Sequence, residues 1–240
     1  MKRVLVINPN TSASVTDMVL NSCRLTQPDV AWEGVTARFG APYIASEAAY
    51  TLAAHAVLDA YAVHFAEHDA VLIACFGDPG MLALREICPV PVVSLAEASF
   101  KTAARRGRFA VVTGGKAWGP MLERFARTHQ LDAQLVGIHT VELTGVQIAA
   151  APERAMADLA AACQVGIDAG AQSIVLGGAA LTGLTAALEK QLGMSVLDNV
   201  KLGAEAAAMA ASGGEAPMSS APLHLPGIKG VARELEALLA

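Results

Sequence analysis

The feature that most constrains the fold is a regular alternation of short apolar runs with longer helical patterns. The first apolar run, "RVLVINP" at 3–9, precedes a helical pattern at 14–25, and the alternation continues to about residue 212. Strands of parallel sheets are buried on both faces, so they read as continuous apolar runs, and helices connect them by right-handed crossovers. The sequence therefore predicts an α/β fold with parallel sheets flanked by helices.

The individual elements follow from this alternation. Strands are predicted at 3–9, 30–37, 69–75, 89–95, 108–114, 133–141, 171–178 and 194–200. Helices are predicted at 14–25, 46–68, 80–87, 96–107, 118–131, 151–170, 184–193 and 201–212. The Gly-, Pro- and Ser-rich stretch 213–227 is predicted to be a loop, and 228–240 an amphipathic helix that docks on the protein or contacts another subunit.

The alternation restarts near residue 108, and the two halves resemble each other. "VLVINPNTS" (4–12) corresponds to "FAVVTGGKA" (109–117), and "VLIACFGDPG" (71–80) corresponds to "IVLGGAALTG" (174–183). The restart predicts two similar lobes. We expect the first to comprise 1–96 with 208–240, and the second 97–207.

Composition excludes several classes of function. The 240 residues carry a net charge of −5 and no basic block, so we expect no nucleic-acid partner. No apolar run is long enough to cross a bilayer, so we expect no membrane partner. The chain opens directly on a predicted strand, which favours a cytoplasmic protein. Its four cysteines lack the close C-x-x-C spacing of a zinc site, so no metal is expected.

The corresponding loops of the two halves are the candidate binding site. Ligands of parallel α/β sheets bind at the carboxyl ends of the strands, near helix N-termini. Two lobes that face each other would bring four such loops around one cleft. The candidate residues in these loops are Asn10, Thr11, Ser12, Cys75, Phe76, Gly77, Thr113, Gly114, Gly177, Gly178 and Ala179.

Cys75 is the candidate for chemistry. Asp78 is a plausible N-cap and Pro79 a plausible first residue of the helix that follows, so Cys75 should lie near a helix N-terminus. Free N–H groups there would lower the pKa of the thiol. The alternative is an inert buried cysteine, which is our interpretation of the other three, at positions 23, 88 and 163.

Three motifs resemble the aspartate/glutamate/hydantoin racemase superfamily, in particular its hydantoin and allantoin racemase branch. They are "INPNTS" (7–12), "ACFGDPG" (74–80) and "IVLGGAALTGL" (174–184) with "VLDNV" (196–200). The resemblance implies two lobes related by a pseudo-two-fold axis, with the active site between them. It implies proton transfer without a cofactor at a carbon next to a carbonyl, on a hydantoin-like or amino-acid-like small molecule. A homo-oligomer is also implied.

The resemblance further implies two cysteines that face the substrate from opposite sides. The chain departs from this pattern at Gly178, where the family's second motif carries the second cysteine. Another group could supply the second proton, with Asp198 or a water as candidates. The protein could instead be a one-cysteine decarboxylase of the arylmalonate type, or a non-catalytic binder of small carboxylates, or carry an engineered replacement at 178. Phe76, Met81 and Tyr43 could line a pocket or belong to the core.

Overall fold

Two parallel four-stranded sheets form the framework of the protein. A computed structural model describes residues 1–64, 66–142, 152–213, 225 and 228–239. The first sheet has the order β2-β1-β3-β4 and the second the order β6-β5-β7-β8. The strands are β1 Lys2–Asn8, β2 Val30–Thr36, β3 Ala70–Ile73, β4 Val92–Ser94, β5 Phe109–Gly114, β6 Leu135–Val141, β7 Ser173–Gly177 and β8 Val196–Asp198. The repeated strand order confirms the predicted two-lobe α/β fold.

Helices connect and cover these strands, as the apolar runs predict. They are α1 Ala13–Thr26, α2 Glu47–His64, α3 Met81–Ile87, α4 Leu95–Arg106, α5 Trp118–Thr128, α6 Pro152–Asp168, α7 Thr185–Leu192, α8 Asn199–Ala211 and α9 Arg233–Leu239. A single 3₁₀ turn, Ala179–Leu181, follows β7. Among the described residues, no helix is long and apolar enough to cross a membrane.

Strand β1 shows why the apolar runs are continuous. Val4 and Val6 pack into one hydrophobic cluster, while Leu5 and Ile7 pack into another on the opposite face of the sheet. All four side chains are fully buried. Each contributes about 1.5–3 kcal/mol of apolar burial, so helices on both faces are needed to stabilise the sheet.

Helices α4 and α8 join the two lobes. Both helices contact strands of the first sheet and strands of the second. Phe100 of α4 is fully buried there, with its ring 5.4 Å from that of Phe109 on β5 and 6.0 Å from that of Phe76. Because these helices belong to both lobes, the division at 96/97 and 207/208 stays a prediction.

Several element bounds differ from the predicted ones. Helix α2 ends at His64 rather than 68, and β3 ends at Ile73, two residues before Cys75. The main-chain N–H of Ala74 still bonds to the Ile7 carbonyl, at 2.8 Å, before the chain turns. At the end of the chain, α9 begins at Arg233 rather than 228 and packs against α2. The predicted loop 213–227 lies almost entirely outside the described residues.

Candidate functional site

Cys75 begins a tight loop between β3 and α3. Its side chain is partly buried, and its carbonyl accepts a hydrogen bond from the Asp78 N–H at 3.2 Å. Three residues of the loop have positive φ: Gly77 at 137°, Asp78 at 58° and Gly80 at 75°. These values turn the chain sharply, so that Cys75 lies at the edge of the first sheet rather than inside it.

Asp78 holds this loop against the start of α4. Its carboxylate accepts hydrogen bonds from the Ser94 hydroxyl at 2.7 Å, the Ala96 N–H at 2.9 Å and the Glu97 N–H at 2.7 Å. The expected N-cap role towards α3 is therefore wrong, because Gly80 occupies that position and Asp78 caps α4 instead. The carboxylate satisfies N–H groups at the first turn of α4 while fixing the Cys75 loop.

The surroundings of Cys75 favour the neutral thiol. Burial raises the pKa of the Cys75 thiol, and the negative charge of Asp78 raises it further. The expected lowering of this pKa is wrong, because α3 starts at Met81 and Asp78 places a negative charge beside the sulfur. Burial also raises the pKa of Asp78, to about 6, although its three hydrogen bonds oppose the change. Asp78 is therefore charged at neutral pH.

The corresponding loop after β7 carries no thiol. Gly178 has φ of 110°, and a Cβ added there would meet only the Thr113 hydroxyl oxygen, at 3.8 Å. Ala179 follows it in the 3₁₀ turn. The Asn199 side-chain amide donates to the Gly178 carbonyl at 3.3 Å and to the Leu176 carbonyl at 2.8 Å. Position 178 thus has space for a side chain but a backbone conformation that favours glycine.

Phe76 and two glycines bring the two loops together. The buried Phe76 ring lies where a Cβ on Gly177 would be, and the Trp118 ring occupies the corresponding space at Gly77. Only glycine permits these approaches. The Cys75 loop and the Gly178 loop therefore meet across the lobes, as the sequence comparison predicts, while the Phe76 ring itself is packed in the core.

The loop after β1 is ordered by its own polar groups. The Asn10 side-chain oxygen accepts hydrogen bonds from the Asn8 amide at 3.0 Å and the Ser12 N–H at 2.9 Å, and the Thr11 N–H bonds to the Ala41 carbonyl at 3.1 Å. Ser12 occupies the N-cap position of α1 without a side-chain bond to the helix. Its hydroxyl pairs with that of Ser14 at 3.0 Å. Substrate contacts of Asn10, Thr11 and Ser12 stay a prediction.

Tyr43 comes from the loop after β2 and reaches the second lobe. Its hydroxyl donates to the Gly114 carbonyl at 3.3 Å, and about half of the residue, 48%, is exposed. Burial raises the pKa of the Tyr43 phenol, the negative charge of Glu142 raises it further, and Cys75 does so when it is ionised. Thr113 is buried beside Gly114. No sequence motif marks Tyr43 as a site residue. Its position in the loop that follows β2 is the one sequence feature that could have predicted a place near the site.

Two further contacts fix the segment that carries Tyr43. The Trp118 indole N–H donates to the Ile44 carbonyl at 3.0 Å in a buried bond. The Arg124 guanidinium makes a bidentate ion pair with Glu47, at 2.6 and 2.9 Å. The segment that directly follows Tyr43 is therefore attached to α5 of the second lobe.

Asp198 is a helix cap. Its carboxylate accepts hydrogen bonds from the N–H groups of Val200 at 2.9 Å and Lys201 at 3.2 Å, at the start of α8. It also accepts one from the Gly183 N–H at 3.2 Å. These bonds give Asp198 a structural role, and we do not assign it as the second acid.

The other cysteines contrast with Cys75. All three are fully buried, and burial raises the pKa of Cys23 to about 12 and that of Cys163 to about 11. This placement agrees with their interpretation as structural residues. Within the described ranges, no group of three or more His, Cys, Asp or Glu side chains could hold a metal ion.

A pocket of about 250 Å³ adjoins the Cys75 loop between α3 and α5. Gly77, Asp78, Tyr50 and Trp118 contribute to its wall. Neither Cys75 nor Gly178 lines it, so we do not assign it as the place of reaction.

Comparisons with known proteins establish the family. The model of the Asp/Glu/hydantoin racemase family matches residues 4–207. The chain belongs to this family. The match spans both sheets and all four strand-end loops, and it confirms the expectation from the three motifs. The assignment makes the chain an isomerase-family enzyme and disfavours a non-catalytic binder.

Individual relatives place the chain in the hydantoin and allantoin racemase branch. A hydantoin racemase from a Pseudomonas species is 30% identical over 205 residues, which cover 84% of this chain and 82% of that protein. The crystal structure of allantoin racemase from Pseudomonas fluorescens superposes with a TM-score of 0.86 at 27% identity, covering 94% of this chain and all of that one.

Arylmalonate decarboxylase shares the fold. Its crystal structure superposes with a TM-score of 0.60 at 17% identity, covering 89% of this chain and 94% of that one. At this identity the similarity concerns the fold alone.

Proposed function

We propose that the protein is a racemase that moves a proton, without a cofactor, at a carbon next to a carbonyl of a hydantoin-like or amino-acid-like substrate. The observation that carries the proposal is the position of Cys75. The thiol lies at the carboxyl edge of the first sheet, in a loop that Phe76 presses against Gly177 of the second. A titratable group at the junction of two lobes suits proton transfer to a bound small molecule.

Cys75 acts as the base in this proposal. Its thiolate removes the proton from the substrate carbon, which leaves negative charge on the adjacent carbonyl oxygen. The loops of Gly77, Gly114 and Gly178 present main-chain groups near this place, and their N–H groups stabilise that oxygen. Because the surroundings raise the pKa of the thiol, the thiolate is a strong base once formed and a ready proton donor in the reverse direction.

A one-cysteine lyase of the arylmalonate decarboxylase type is the second candidate. Gly178 favours it, because loss of CO₂ leaves an enediolate that needs protonation from one face only. The hydantoin and allantoin racemase relatives, which match over most of the chain, favour the racemase. Assembly into a homo-oligomer and a cytoplasmic location stay predictions.

The two candidates are tested with one pair of assays. An optically pure 5-substituted hydantoin in D₂O should lose optical rotation and gain deuterium at C5 when the enzyme is present. A disubstituted malonate should release no CO₂. Release of CO₂ from the malonate with no exchange on the hydantoin would contradict the racemase and select the lyase.

A further inference from the structure

The missing thiol at position 178 raises the question of what protonates the second face of the substrate. This inference rests on the proposed racemase. Inversion needs an acid or base on each side of the reacting carbon, and Cys75 supplies the one from the first lobe. The second group must approach from the edge of the second sheet, where Gly178 lies.

Tyr43 places a phenol at that edge. Its hydroxyl bonds to the carbonyl of Gly114, the last residue of β5, and a Cβ added to Gly115 would lie 2.7 Å from the same oxygen. β5 is hydrogen-bonded to β7, with Thr113 opposite Gly177. The phenol of Tyr43 and position 178 therefore occupy neighbouring strand ends of one sheet.

The phenol and the thiol both belong to the first lobe, but the phenol extends to the edge of the second sheet. Cys75 is carried by the first sheet, whereas the Tyr43 hydroxyl is anchored on the second. The Trp118 ring borders both Gly77 of the Cys75 loop and Gly115. A Cβ on Gly115 would lie 2.7 Å from the Tyr43 hydroxyl, so one indole separates the two loops. In agreement with this geometry, a negative charge on Cys75 raises the pKa of Tyr43. Glu142 is the other charged group that acts on the phenol. Half of Tyr43 is exposed, which leaves it accessible to a small molecule.

We propose that Tyr43 is the second acid and base of this enzyme, in place of the cysteine that its family carries at position 178. The Cys75 thiolate takes the proton from one face of the substrate carbon, and the Tyr43 hydroxyl delivers its own proton to the other face. Cys75 is then a thiol and Tyr43 a phenolate. Water carries the proton from sulfur back to the phenolate oxygen, which restores both groups. For the opposite enantiomer, the phenolate removes the proton and the thiol delivers one.

Two other candidates for the second group already have hydrogen-bond partners. Tyr50 donates its hydroxyl to the Gly77 carbonyl at 3.0 Å, on the Cys75 side, and Asp198 accepts from three N–H groups. The hydrogen bond of Tyr43 to Gly114 is long, at 3.3 Å, so exchanging it for a bond to the substrate costs little.

The test is Tyr43→Phe, assayed with each enantiomer of a 5-substituted hydantoin in D₂O. We expect racemisation to fall about 100-fold or more, the usual contribution of a positioned acid or base. Exchange of one enantiomer, the one whose proton faces Cys75, should continue with retained rotation within about tenfold of the unmodified rate. That remaining exchange shows that the variant is folded and that Cys75 still acts.

Tyr50→Phe is the matched control. It removes a phenol hydroxyl that bonds to the Cys75 loop but is not the proposed second acid. Any change that it causes in the rate of deuterium exchange should therefore be matched by an equal change in the rate of racemisation. Racemisation by Tyr43→Phe within about threefold of the unmodified enzyme would overturn the assignment of Tyr43. The assignment of Tyr43 would also be overturned if the unmodified enzyme exchanged deuterium into a single enantiomer without loss of optical rotation. That result would still be consistent with Cys75 as the base. Absence of any exchange in the unmodified enzyme would overturn the racemase proposal itself, and the role of Tyr43 with it.

Discussion

The loops after β3 and after β7 are both attached to a neighbouring helix by an aspartate, but the aspartate belongs to the loop in the first lobe and to the helix cap in the second. Each loop is attached by an aspartate to the helix that follows the last strand of its sheet. In the first lobe, Asp78 belongs to the loop and caps α4; in the second, Asp198 caps α8 and accepts the N–H of Gly183 from the loop. The first arrangement puts a negative charge three residues from Cys75, and the second leaves Gly178 without a charged neighbour in its own loop.

The difference teaches that positions that correspond in sequence need not share a backbone conformation or a chemistry. Gly178 corresponds to Cys75, yet Gly178 has a φ of 110°, whereas Cys75 is not among the residues with positive φ. Both loops nevertheless meet where the Phe76 ring contacts Gly177. The loop after β3 carries a thiol, whereas the loop after β7 has no side chain at the corresponding position and leaves room for one. Three substitutions test how far this asymmetry determines the reaction.

The largest effect is expected for Cys75→Ser. A serine hydroxyl is a far weaker acid than a thiol, so exchange of deuterium into the substrate should fall at least about 10³-fold. The measurement is the rate of deuterium incorporation at C5 by NMR. Cys163→Ala is the control, because it removes a buried thiol that packs within the second lobe and should leave exchange within about threefold. Unchanged exchange in Cys75→Ser would contradict the role given to Cys75.

Gly178→Cys should restore a second thiol at some expense of stability. The space around a Cβ is open apart from the Thr113 hydroxyl, but a φ of 110° strains any side chain, so we expect a loss of about 1–3 kcal/mol in the free energy of unfolding. Racemisation should rise in the variant. Gly178→Ala is the matched control: it carries the same strain without the thiol. Equal rates of racemisation by the two variants, with equal melting temperatures, would contradict the assignment of position 178 as the counterpart of Cys75.

The smallest effect is expected for Asp78→Asn. Asp78 is ionised above about pH 6, and its charge raises the pKa of Cys75. Removing that charge lowers the pKa of the thiol, so the pH dependence of exchange should move to lower pH and kcat/KM at pH 7 should rise about two- to tenfold. Asp69→Asn is the control, because Asp69 precedes β3 at its amino end, pairs with Lys2 and should not move the profile. Identical profiles for both variants would exclude electrostatic control by Asp78.

The same variant has a consequence for stability. The pKa of Asp78 lies at about 6 in the folded protein and at 3.8 for an ordinary aspartate, so the folded state binds the proton more tightly. Ionisation between these values opposes folding, and the unmodified protein should lose stability relative to Asp78→Asn as the pH rises through this range. Denaturant unfolding at several pH values measures this difference.

Much of this architecture could be predicted from the amino-acid sequence. Apolar runs such as 3–9 and 108–114 predict buried parallel strands because only a strand covered on both faces needs apolar side chains at every position. The internal match predicts two lobes and the four strand-end loops, and it brings Cys75 and position 178 to one place. The inferences about the fold and the meeting of the loops succeed because they depend on local periodicity and on the parallel arrangement of the strands, which brings their carboxyl ends to one edge of each sheet.

What the tertiary structure alone decided concerns contacts between residues far apart in the chain. The Asp78-Pro79 pair has the local pattern of a helix start, yet Asp78 caps α4, because its positive φ turns the carboxylate towards Ala96 and Glu97. The pKa of Cys75 is raised for the same reason, since burial and a neighbouring charge depend on packing. The Tyr43 hydroxyl bonds to the carbonyl of Gly114, which is 71 residues away in the chain, and no local sequence pattern predicts a contact over that separation. The sequence determined which loops meet, and the packing between lobes decided which side chains in them face each other.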